Sequence, residues 1–158
     1  MGVNEMKRMM IGLVTAMLAG CMRIPESLQM PRRSQVNLFG YTSNEAFWWI
    51  ADEEMIDRFY ACAAQAEYVD MELEFLPEES RGGINVYWAD EPEGFFEPDR
   101  LTVFCFIGFY ERDGTRYIVL PETGVYSSPD TLDEWLADVE LQPCAFVIPA
   151  GKDGFTPE

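Results

Sequence analysis

Leu101-Thr102-Val103-Phe104-Cys105-Phe106-Ile107-Gly108-Phe109-Tyr110 is the stretch on which the fold turns. No charged residue interrupts it, and it is rich in aromatic and β-branched side chains. A strand that alternates apolar with polar has one wet face. This one is strongly apolar on both faces and should be the central strand of a sheet.

Reading outward, Asp113-Gly114 supplies the pair of residues that a two-residue hairpin turn favours, and Tyr117 to Leu120 forms the returning strand. On the N-terminal side, Asp90 to Arg100 is rich in Pro, Gly and acid and reads as a loop. Before it, Ile84, Val86 and Trp88 mark another strand, preceded by a turn from Glu78 to Gly83. In Val69-Asp70-Met71-Glu72-Leu73-Glu74-Phe75, apolar and acidic residues alternate, which predicts a half-buried strand with carboxylates along its outer face. Towards the C-terminus, Ser128-Pro129 starts a short helix with proline at its first position. That helix runs from Thr131 to Val139 and has Leu132, Trp135, Leu136 and Val139 on one side. Ala145 to Pro149 reads as a last strand.

The segment before Val69 reads as helix. Thr42-Ser43-Asn44-Glu45 has the pattern of a capping box. Trp48, Ala51, Met55, Phe59, Cys62 and Ala66 then recur at steps of three and four, which predicts a helix from Asn44 to Glu67. The expected fold class is α+β: a long N-terminal helix packed on a mostly antiparallel sheet of about five strands, with a second short helix.

The first twenty residues follow other rules. Lys7 and Arg8 precede an apolar run from Met9 to Leu18 that is too short to cross a bilayer core of about 30 Å. It has the dimensions of a secretory signal. The run ends in Leu18-Ala19-Gly20-Cys21, which resembles the lipobox of bacterial lipoproteins. That resemblance implies removal of residues 1–20 as a signal peptide and attachment of lipid, palmitate included, to Cys21. Residues 21–35 then form a flexible tether, with Arg23, Arg32 and Arg33 available to anionic headgroups. Residues 36–158 form one acidic domain. Met22 follows the lipidated cysteine where the family's inner-membrane retention signal would be aspartate. The resemblance thus implies the periplasmic face of the outer membrane.

The whole chain has a net charge of −17 and contains no histidine. From Val36 onward there are 26 Asp and Glu against five Arg and one Lys, a balance of −20. A domain of this sign repels nucleic acid and attracts basic proteins. The absence of histidine excludes Ser-His and Cys-His catalysis and histidine metal sites. There is no zinc-type cysteine spacing and no phosphate loop, so no metal or cofactor is implied. The chain reads as a binding protein, not an enzyme. With Cys21 lipidated, Cys62, Cys105 and Cys144 remain. In an oxidising compartment Cys62 and Cys144 are the favoured pair, and three free thiols are the alternative.

Within the acidic loop, Phe95 and Phe96 stand among Glu93, Glu97 and Asp99. Aromatic residues with an acidic rim suit a partner interface. They can equally fold back onto the core. In build and lipobox the chain resembles the immunity lipoproteins that accompany type VI secretion effectors. That resemblance implies a protein partner, a basic toxin, that the acidic domain binds and inhibits. A structural or accessory role in a larger envelope assembly is the alternative.

Overall fold

The computed structural model describes residues 28–70, 74–92, 100–121 and 123–147. Eight strands form one antiparallel sheet: β1 (Leu38–Thr42), β2 (Ala46–Ile50), β3 (Tyr68–Asp70), β4 (Ser80–Ala89), β5 (Leu101–Arg112), β6 (Thr115–Leu120), β7 (Gly124–Ser127) and β8 (Phe146–Val147). Their order across the sheet is β3-β7-β6-β5-β4-β1-β2-β8. Helices α1 (Glu53–Ala63) and α2 (Asp130–Glu140) complete the described fold.

The long β5 lies near the middle of the sheet and pairs with β4 and β6. Asp113 and Gly114 turn the chain from β5 into β6 with φ of 53° and 76°. Positive φ at both positions matches the right-handed twist of the strands that the turn joins.

One face of the sheet carries Ile50, Phe39, Val86 and Cys105 in one row and Trp48, Tyr41, Ile84 and Ile107 in the next. Both helices cover this face. Phe39, Phe59 of α1 and Trp135 of α2 meet there, with Phe59 and Trp135 centroids 5.0 Å apart and Phe39 edge-on to Phe59 at 5.3 Å. The Trp135 indole N–H donates to the Met55 carbonyl at 2.7 Å, which ties the two helices together inside the core.

The expected long N-terminal helix from Asn44 to Glu67 does not form. Its first part is the turn after β1 and strand β2, and the helix begins only at Glu53. The capping-box reading failed for a definite reason. The Ser43 hydroxyl does accept backbone N–H bonds, from Glu45 at 3.2 Å and Ala46 at 3.1 Å, while Ser43 N–H donates to the Ala46 carbonyl at 2.9 Å. Those local bonds serve a tight turn as readily as a helix start. The true N-cap is Asp52, whose carboxylate accepts from Met55 N–H at 2.8 Å. Met55, Phe59 and Cys62 of the expected apolar stripe do face the core from α1. Trp48 reaches the same core from a strand.

Elsewhere the boundaries shift. β3 is shorter than the strand expected from Val69 to Phe75, and Val69 is exposed where it was expected to be buried. Part of that stretch, residues 71–73, lies outside the described residues. Ser80 to Gly83 belongs to β4, so the turn before it is only Pro77–Glu79. α2 lies where Thr131 to Val139 reads as helix, but Pro129 is its N-cap, not its first turn, and no side chain caps it. β7 had no counterpart in the sequence reading. Leu28 is buried in the core, the Tyr60 hydroxyl donates to the Pro31 carbonyl at 2.7 Å, and Arg33 pairs with Asp57. Packing against the sheet and α1 therefore already involves residues from the stretch before Val36.

Removing Trp135 empties the centre of the helix layer and takes the indole donor from the Met55 carbonyl. Trp135→Ala is expected to lower stability by about 3–5 kcal/mol in chemical denaturation.

Candidate functional site

Side chains alternate across a sheet, so every second residue of these strands faces away from the helices. Three rows cross that outer face: Leu38, Tyr87 and Val103; Trp49, Gly40, Asn85 and Phe106; Phe47, Thr42, Gly83, Gly108 and Val119. None of these residues is charged, in a chain whose net charge is −17. Val103 is 61% exposed and Phe106 40%; Trp88 of β4 and Phe104 of β5 are also exposed.

The glycines explain how so many rings fit on this face. A side chain at Gly40 would meet the rings of Phe47, Tyr87 and Trp49 at 3.1–3.2 Å, and one at Gly83 would strike the Phe106 ring at 2.5 Å. The rings therefore lie down over bare backbone instead of standing up from the sheet. Phe47 and Trp49 pack edge to face at 4.7 Å, and Trp49 meets Tyr87 at 5.8 Å. Rings locked together in this way lose little freedom when a partner covers them.

A clamp closes one end of this face. Arg112 grips both carboxylate oxygens of Glu79, at 2.5 and 2.8 Å, and donates to the Glu74 carbonyl at 2.5 Å. Its guanidinium lies 4.9 Å over Phe75, and Phe75 stacks on Tyr110 at 4.7 Å. With this guanidinium and the Leu76 N–H both donating to it, the Glu79 carboxyl is held down to about 2.

A cleft of about 670 Å³ opens on the other side of the sheet, between α2 and the ends of β1, β2, β5 and β6. Its floor contains Tyr41 and Trp48, stacked at 5.1 Å, and Phe109. Glu111 is bracketed by Arg81 and Arg116, each at 3.6 Å, and Arg116 also pairs with Asp133. The Tyr41 hydroxyl donates to Glu140 at 3.0 Å. Burial, with the Glu140 charge beside it, pushes the Tyr41 pKa far above the ordinary tyrosine value, so Tyr41 stays a donor.

Several residues singled out in the sequence lie outside the described residues: Cys21, Glu93, Phe95, Phe96, Glu97 and Asp99. Cys62, Cys105 and Cys144 are all free thiols, Cys62 buried and the other two half-buried. Burial pushes the Cys105 thiol up, away from the reactive thiolate. Among the described residues no group of acids and cysteines is placed to hold a metal, and no helix is long and apolar enough to cross a membrane. Sequence reasoning missed both the outer aromatic face and the cleft. The face did leave a signal, since a strand apolar on both sides needs a second cover and only one helical layer could be found for it. Compared with family models, curated proteins and solved structures, the chain finds no match.

The Glu79 carboxyl has its folded value below the ordinary 4.5, so its pairing contributes fully above about 4.5 and is lost as the pH falls through about 2. Arg112→Ala is expected to return the Glu79 titration towards 4.5 in carboxyl-carbon NMR. An unchanged titration would assign the whole effect to the Leu76 N–H.

Proposed function

We propose that the chain is a lipid-anchored periplasmic lipoprotein whose acidic domain binds, and by covering it inhibits, a basic protein partner. The aromatic outer face, whose three rows contain no charged residue, is the observation that carries this reading. A face of this kind on a monomer marks an interaction surface. The negative charge carried by the rest of the chain supplies the complement. An apolar centre within a charged surround gives affinity at the centre and steering at the rim. The absence of histidine favours holding a partner over reacting with it. The lipobox-like Leu18-Ala19-Gly20-Cys21 supports the anchor, and Met22 after it supports the outer membrane over the inner. A toxin that acts on anionic cell-wall or lipid substrates would be basic, which suits an acidic antagonist of the immunity type.

Two measurements test the two halves of the proposal. For binding, the partner is identified by crosslinking in the periplasm and purified. The double variant Val103→Ser/Phe106→Ser is expected to weaken its binding at least tenfold, with a melting temperature close to that of the parent. Association should also slow as salt rises from about 50 to about 500 mM. Undiminished binding by the double variant would refute the outer face as the interface. For the anchor, labelled palmitate should enter the parent chain and not Cys21→Ser, and the variant should move from the membrane to the soluble fraction. A variant that still takes up label would refute Cys21 as the lipidated residue.

A further inference from the structure

The cleft under α2 has a chemistry of its own. Leu132, Leu136 and Glu140 recur at steps of four along α2, which puts two apolar side chains and then a carboxylate on one ridge beside the opening. Of the other acids that line the cleft, Glu111 is paired with Arg81 and Arg116 and Asp133 with Arg116, while Glu45, at the far side on the β1–β2 turn, has no ion pair among the described residues. Glu140 receives the Tyr41 hydroxyl and, among the described residues, has no cation within ion-pair distance. It is also the last residue of α2, where the helix dipole adds negative potential, and the last turn contains no basic residue. An anion at that end of a helix is unfavourable unless a cation answers it. Beneath it lie the stacked rings of Tyr41 and Trp48, with the Trp48 indole N–H fixed on the Gln142 carbonyl at 3.3 Å.

We propose that this cleft binds an alkyl guanidinium group, the side chain of arginine, with the aliphatic stem along Leu132 and Leu136 and the head on Glu140 above the Tyr41–Trp48 stack. A guanidinium suits the site better than an ammonium. It is planar and loses less hydration than an ammonium on entering a cleft with apolar walls. Its forked N–H groups can reach the carboxylate while Tyr41 keeps its own bond to Glu140. The site lies on the opposite side of the sheet from the aromatic outer face, so it does not depend on the outer face being an interface.

The test is a titration of the full chain with N-acetylarginine amide, followed through the Trp48 indole N–H resonance. A saturable shift in the millimolar range is expected. The neutral isostere N-acetylcitrulline amide should leave the resonance in place, and Glu140→Gln should weaken arginine amide binding about tenfold. Glutamine preserves the shape of the site, and an otherwise unchanged amide spectrum will show that the fold is intact. Leu136→Ala, which keeps the carboxylate, should weaken binding about threefold. A Gly-Arg-Gly peptide that binds more tightly than arginine amide identifies an arginine within a protein chain as the natural occupant; equal affinity identifies a free small guanidinium. Both outcomes support the site. An equal response to citrulline, no saturable shift, or unchanged affinity in Glu140→Gln overturns it.

Discussion

Trp135 holds the helical layer together. Its ring packs against both Phe39 of the sheet and Phe59 of α1, and its N–H meets a carbonyl in the first turn of α1. α1 and α2 are each eleven residues long, short enough to be marginal in isolation. Each depends on tertiary burial, and Trp135 makes that burial common to both. The indole can be dry because its one polar atom is satisfied. The sheet beneath is held in place by the same contact, since Phe39 lies on β1, the strand that joins the β1–β2 hairpin to the β4–β7 meander.

How much of this was legible in the sequence depended on whether the local signal was unique. Asp113-Gly114 permits few alternatives, and the hairpin is where it points. The β5 run reads as a central strand and is one, although Val103, Phe104 and Phe106 are exposed on it. Ser43 was ambiguous by chemistry, since a hydroxyl that accepts from the second and third N–H ahead serves a turn or a helix start equally. The tie was broken by partners far along the chain: β1 pairs with β4, and β2 with β8. Phe47, Trp48 and Trp49 fit a strand by their own preference, but the three- and four-step spacing of Trp48, Ala51 and Met55 overrode that signal.

The two surfaces were hidden for different reasons. The outer face is assembled by register: Gly40, Gly83 and Gly108 lie on three different strands, and no local window contains them together. The cleft joins Tyr41 to Glu140 across almost the whole domain, so its chemistry has no sequence motif. What could be read was the mismatch between a strand apolar on both sides and a single layer of helices to cover it.

The pairing of β2 with β8 also sets the order of events when the protein is made. Ala46 and Phe47 meet Val147 and Phe146, about a hundred residues further on, whereas β4 to β7 each pair with the next strand along the chain. The central meander can form from a partial chain. The β2 side of the sheet gains its edge partner only after α2 and the last strand have emerged.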